Sequence, residues 1–385
     1  MATVSTVTAP QGVGAGAGRP SSSQLSVTAF DIPNSRIVHG EKFPLGLELK
    51  SKDTVDIDTA IQKIEELSQA GAFKDLLTNH GTILFRGFPL TNATDFQKFV
   101  RAFKFKNPHR EVGLAGKRTT VTTDIKTANE EPPDVKFYYH SEYGRSAHFP
   151  GILFFYSQIV PESGGQTPLL SSLELYDRLK EDLPEFVRHL EERGIIGRQY
   201  FPAKEDPEAE HIGWNWRDSY GWDIKDDDTL EVQRAKVEAV LKDQLEADGE
   251  WQPNGSLLVL QRLPAIRYIG STGKPKPTFF NGLAGVYGRG RDNHALEAPH
   301  KGDDGKYHLP TTYGDGSPIP TEYLERLLEI SDEIGFLVPW QEGDVALINN
   351  FTVQHARTPW VGNRSLLVSL WDGDERFVRR EQIPA

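Results

Sequence analysis

The chain has 385 residues, 37% hydrophobic and 25% charged, enough to bury a globular core and a preorganised site. Its formal net charge is −12 and no segment concentrates Lys and Arg, which sets nucleic acid and anionic membrane aside as partners. It has no cysteine, so disulfides, thiolate metal sites, iron–sulfur clusters and cysteine nucleophiles are excluded, and any metal must be held by His, Asp, Glu or water.

Residues 1–24 are rich in small residues, Gly, Pro and Ser, and read as a disordered tail. They lack the apolar stretch of a secretory signal, and no run reaches membrane-spanning length, so cytoplasm is the default location. Order is expected from about Leu25. In "VDIDTAIQKIEELSQAGAFKDLLTNHG", Ile61, Ile64 and Leu67, then Phe73, Leu76 and Leu77, recur at helical spacing and predict two amphipathic helices. "GTILFRGFPL" is a short apolar run closed by Gly and Pro, a buried strand. "NATDFQKFVRAF" returns to the helical period, with Asn92 or Thr94 as N-cap. Lys117 to Pro133 is polar and breaker-rich and predicts a loop.

"VKFYYHSEY" and "GILFFYSQI" then read as strands, and "PESGGQTPLLS" as a turn leading into another. "SSLELYDRLKEDLPEFVRHLEERG" predicts two helices meeting at Pro184. "LEVQRAKVEAVLKDQLEADG" and "PTEYLERLLEISDEIG" are further helices; "GSLLVLQRLPAIRYI", "KPTFFNGL", "FLVPW", "GDVALINNF" and "RSLLVSLWDG" are strands. Strands bracket helices without regular β-α-β alternation, so the expected fold is mainly β, antiparallel, with helical insertions.

The chemistry concentrates in "KFYYHSEYGRSAHFPG". On a strand, residues i and i+2 share a face, so His140 and Glu142 can aim an imidazole and a carboxylate at one point. Such a pair is equally at home on a solvated strand face, and "NPHREVG" holds a second one, His109 and Glu111, in what reads as loop. A third ligand is needed. His355, where the "GDVALINNF" strand should run out, is the candidate; His148 is its rival, and the remaining histidines lie in polar loops or near helix ends. Two His and one carboxylate make a facial triad that leaves positions open on iron(II).

The order of His-x-Glu, "SGGQTPL", and a distant "PWQEGDVALINNFTVQHARTPW…NRSLLVSLWDG" resembles the TauD/TfdA superfamily, and more closely its clavaminate synthase-like branch. The resemblance implies a double-stranded β-helix (jelly-roll, cupin-like) in a single oxygenase domain over residues 25–385. It implies an iron(II)- and 2-oxoglutarate-dependent oxygenase that uses O2, releases succinate and CO2, and hydroxylates, desaturates or cyclises a small molecule. His140, Glu142 and His355 match the iron ligands. Thr167 and Arg364 match the groups that hold the far carboxylate of 2-oxoglutarate, Arg through a bidentate fork.

Two departures stand out. A short connection makes Arg357 a rival of Arg364, although Arg364 opens a strand. Many relatives carry a second arginine four residues on for an acidic substrate; here that position is Val368. Candidate substrate contacts are Tyr143, Arg145, Asn350 and Phe351, with Arg145 able to replace the lost arginine. The aromatic cluster "WNWRDSYGW" reads as an aromatic lid or, more commonly for such clusters, a satellite core. The branch suggests an amino acid or a derivative in specialised metabolism. The alternatives are a non-catalytic binding or scaffold relative and a zinc hydrolase on the same ligands.

Overall fold

The structure is a computed structural model that describes residues 6–7, 25–113, 118–128, 130–271, 274–378 and 382. Apart from Thr6 and Val7, the segment read as a tail lies outside the described residues; Val7 bridges Val27 on the first strand, Ser26–Phe30.

The helices begin where side chains can satisfy free backbone N–H groups. Asp56 accepts from the Thr59 N–H to open Ile57–Gln69, and Asn92, rather than Thr94, accepts from the Thr94 and Asp95 N–H groups to open Ala93–Ala102. The apolar faces of Ile57–Gln69, Ala72–His80 and Ala93–Ala102 pack on an eight-stranded sheet. Its spatial order is Ser26–Phe30, Leu45–Lys50, Thr82–Arg86, Val345–Asn349, Ile152–Ile159, Ser365–Trp371, Ile125–Thr127 and Thr120–Thr122. Neighbours run antiparallel except Leu45–Lys50 beside Thr82–Arg86. A second, four-stranded sheet orders Phe336–Leu337, Pro168–Ser171, Val353–Arg357 and Phe137–His140.

Strand alternation sorts the core into layers. Phe154, Tyr156, Val345 and Leu347 face the helices, while Leu153, Phe155, Ala346 and Ile348 face the second sheet. That inner layer meets Leu169, Phe336 and Val353 of the second sheet. Burying one such Phe or Leu side chain stabilises the fold by about 2 kcal/mol, and these central strands do so on both faces. Val368 is 1% exposed in this inter-sheet layer. A third sheet orders Ala247–Trp251, Leu257–Leu263, Ile195–Phe201 and Thr312–Tyr313. The aromatic cluster is largely the satellite core expected, with Trp216 and Tyr220 buried against Val237, Leu241 and Leu257.

The mainly β, antiparallel expectation matches these sheets, but four local readings need correction. The segment read as loop, Lys117 to Pro133, contains the hairpin Thr120–Thr122 and Ile125–Thr127; its β-branched residues pair across a turn with Asp124 at φ 66°. The strand before the metal pair stops at His140. "FLVPW" contributes only Phe336–Leu337. "KPTFFNGL" supplies only Lys276–Thr278 before a helix, Leu283–Asp292, hidden in sequence by its glycines. Gly288 is one of them because the Tyr138 ring occupies the space of a side chain: a Cβ there would lie 2.4 Å from it. That close approach lays the helix on the strand bearing His140.

Candidate active site

Val353–Arg357 lies between Pro168–Ser171 and Phe137–His140. His355 is mid-strand, directly opposite His140 on one side and Leu169 on the other. The two imidazoles stand 4.4 Å apart, centroid to centroid. Glu142 reaches them by another route than strand alternation. It sits past the strand end in a turn in which the Gly144 N–H donates to Ser141 O at 2.8 Å and Tyr143 adopts φ 54°. Asn350 holds that turn: its Oδ1 accepts from the Glu142 N–H at 2.8 Å, and its Nδ2 donates to Glu142 O at 3.0 Å and Pro150 O at 2.7 Å.

One ligand atom from each of His140, Glu142 and His355 lies within 4.8 Å of the others, and among the described residues this is the only such group of three. His140 donates its Nδ1–H to Tyr138 O at 2.8 Å, which leaves Nε2 as a lone-pair donor. Glu142 Oε2 is 3.2 Å from His355 Nε2, and the buried His355 Nδ1 has no hydrogen-bond partner. Two nitrogens and one carboxylate oxygen, converging and incompletely satisfied, fit a divalent metal.

A wider electrostatic frame surrounds them. Arg118 donates from one terminal nitrogen to Glu142 Oε1 at 2.8 Å and from the other to Glu111 Oε1 at 2.9 Å. Burial alone would push the Glu142 carboxyl up, but Arg118 and the two imidazoles hold it well below the usual carboxylate range. Burial, helped by His355, lowers His140 to about 4, the neutral form a metal requires. Glu111 is likewise held low against burial by Arg118 and Lys126, and Tyr143 donates its hydroxyl to Glu111 at 3.1 Å. Sequence reasoning missed Arg118 and set Glu111 aside in a loop without its link to Glu142; the Thr-rich alternation after Arg118 was the available sign that this stretch is ordered.

A cavity of about 300 Å³ opens beside the triad, lined by His140, Glu142, Tyr143 and Arg145 among others. Two expected substrate contacts do not reach it. The amide of Asn350 is consumed in holding Glu142, and Phe351 packs among Phe149 and Phe377. The rival ligand His148 bonds Arg110 O and stacks on His109.

Thr167 and Arg364 flank the segment leading to Leu169, outside that cavity. Arg364 donates Nε–H to Gly165 O at 3.0 Å and stacks on Trp360, and no carboxylate pairs with it among the described residues. Burial lowers it to about 10. Thr167 Oγ1 accepts from Trp340 Nε1 at 3.1 Å, leaving its own hydrogen to donate. An uncompensated guanidinium and a free hydroxyl donor fit a carboxylate. Arg357 instead donates to the carbonyls of Glu131, Pro132 and Val135, tying down the segment that leads into Phe137–His140.

The facing sheets bring together a His-Glu-His cluster of the kind that can hold a divalent metal beside an open cavity. The family model described as "Taurine catabolism dioxygenase TauD, TfdA family" matches residues 43–252 and 279–371. A clavaminate synthase-like protein of Arabidopsis thaliana is 38% identical over 352 residues, 90% of this chain and 99% of that one. The dapdiamide synthesis protein DdaC of Enterobacter agglomerans is 25% identical over 322 residues, 83% and 90% of the two chains. A solved taurine dioxygenase from Burkholderia xenovorans shares 14% identity at TM-score 0.44, covering 88% of this chain and 91% of its own. The chain belongs to the TauD/TfdA family, as its motifs implied, and is a dioxygenase of the 2-oxoglutarate-dependent type. Among the described residues no helix is long and apolar enough to cross a membrane.

Proposed function

We propose that the protein oxidises an unactivated C–H bond of a small molecule, using iron(II), 2-oxoglutarate and O2, within one oxygenase domain over residues 25–385 whose two facing sheets form the double-stranded β-helix. The convergence of His140, Glu142 and His355 within 4.8 Å carries this reading. Bound there, iron(II) with 2-oxoglutarate and O2 supplies the oxidant, with succinate and CO2 as co-products. The chain's own residues do the rest. Asn350 and Arg118 hold the Glu142 carboxylate in place, Tyr138 O fixes the His140 tautomer, and Arg364 with Thr167 is read as the anchor for the far carboxylate of 2-oxoglutarate.

Hydroxylation, desaturation and ring closure all start from the same hydrogen abstraction. An amino acid or derivative in specialised metabolism is the substrate class we favour, supported by the likeness to the dapdiamide synthesis protein. Nucleic acid and membrane stay outside the reading on charge grounds, and the protein is read as cytoplasmic. The test is succinate formation from 2-oxoglutarate with added iron(II) and ascorbate. Absence of any turnover or metal uptake would reduce the protein to a binding relative of the fold.

A further inference from the structure

The cavity beside the triad is lined by more base than acid: Arg118, Arg145, Arg198, Arg289 and Lys306 against Glu131 and Glu142. Three of the cations are neutralised locally. Arg118 bonds Glu111 and Glu142, Lys306 lies 2.7 Å from Glu131, and Arg289 lies 3.3 Å from Asp304. Arg145 and Arg198 have no carboxylate partner among the described residues. Arg198 donates to the Thr312 hydroxyl at 3.0 Å and to Pro310 O, whereas Arg145 donates to Arg198 O and leaves its Nε sealed from solvent without a partner. Another lining group, the Ser141 hydroxyl, is also buried and unpartnered.

A buried guanidinium without a counter-charge is unfavourable until an anion reaches it. Arg145 stands three residues beyond Glu142 on the same turn, and Gly282 makes room for it, since a Cβ there would lie 2.9 Å from Arg145 Cγ.

We propose that Arg145, with Arg198 beside it, is the specificity-determining anion subsite of this cavity, and that the primary substrate enters with a carboxylate directed at Arg145. The inference rests on the oxygenase reading and adds the substrate's chemical class to it. The anchor sits on the turn that carries Glu142 and lines the same cavity as His140 and Glu142, so a carboxylate held there lies in the space that opens on the triad. Substrates with the carboxylate blocked as an amide are rejected, because a neutral amide leaves the guanidinium uncompensated.

The test is binding without turnover. Full-length protein is loaded with Mn(II) and N-oxalylglycine, which fill the metal and co-substrate positions, and is titrated calorimetrically with the common L-amino acids, their N-acetyl derivatives and the matching carboxamides. Wild-type protein is expected to bind at least one carboxylate about ten- to a hundredfold more tightly than its amide. Arg145→Gln should erase that difference while keeping N-oxalylglycine binding, and Arg145→Lys should recover part of it. The proposal is overturned if Arg145→Gln retains the preference, if amides bind as well as acids, or if no carboxylate binds the wild type. Should Arg145→Gln not fold, an Arg145→Lys protein with unchanged carboxylate affinity overturns it equally. Failure of the oxygenase reading looks different: wild-type protein would then bind neither Mn(II) nor N-oxalylglycine.

Discussion

The chain contains two His-x-Glu pairs, and the fold treats them oppositely. His140 and Glu142 turn toward each other and toward His355, whereas His109 bonds Asp372 and Glu111 bonds Arg118 and Lys126. Spacing is identical, so spacing does not make the site. The first pair stands at a strand end opposite a third ligand, with a turn that swings the carboxylate back under the control of Asn350. Among the described residues the second pair joins no group of three ligands: His109 bonds Asp372 and stacks on His148, while Glu111 is held by Arg118 and Lys126. The two are nonetheless one structure, because Arg118 spans Glu111 and Glu142. The pair outside the three-residue cluster braces the pair within it.

The largest test of this contrast is ligand removal. His355→Ala and Glu142→Ala are expected to lose both bound metal and turnover entirely, while His109→Ala keeps one metal per chain by elemental analysis after dialysis. The reverse pattern would exchange the roles of the pairs. Next is the link between them. Arg118→Ala takes the guanidinium from two buried carboxylates, leaving Glu111 only Lys126 and Tyr143, and is expected to cost about 3–5 kcal/mol in urea unfolding; a loss below about 1 kcal/mol would show that the brace is unimportant.

The two arginines after His355 offer a parallel comparison. Arg364→Ala should raise the 2-oxoglutarate requirement by roughly thirty- to a hundredfold, the equivalent of about 2–3 kcal/mol for a charged hydrogen-bonded pair. Arg357→Ala should leave that requirement alone and lower the melting temperature instead, since its partners are backbone carbonyls.

The smallest effect is in pH. His140 in the fold protonates near 4, against an ordinary 6.5, so between these values the unfolded chain holds the proton and the folded chain does not. Stability of the metal-free protein should therefore fall as pH drops from about 6.5 to 4, by about 2–3 kcal/mol, and most of that slope should vanish in His140→Gln. A slope carried instead by His109→Gln would place the more perturbed histidine in the wrong pair.

Much of this was legible because it is local. The helix over Ile57–Gln69 and the strand over Ile152–Ile159 are written in apolar periodicity, and His140, Glu142 and His355 were legible through residue type and a family-like order of motifs. The hairpin after Arg118 and the helix over Leu283–Asp292 were not. One is short and polar, and the other owes its glycines to a ring from a distant strand. Asn350 was legible as a residue near the site but not as the clamp on Glu142, because hydrogen bonds between residues 208 positions apart leave no trace in local pattern.

By itself, then, the order of residues determined which elements form and which side chains are chemically able to bind a metal, since periodicity and donor type are properties of short segments. Only the tertiary structure decided which carboxylate joins the metal cluster and which braces it, which arginine is satisfied by carbonyls, and which lies buried without a counter-charge. Those outcomes depend on distances between strands far apart in the chain, and an electrostatic environment exists only once the chain has closed around it.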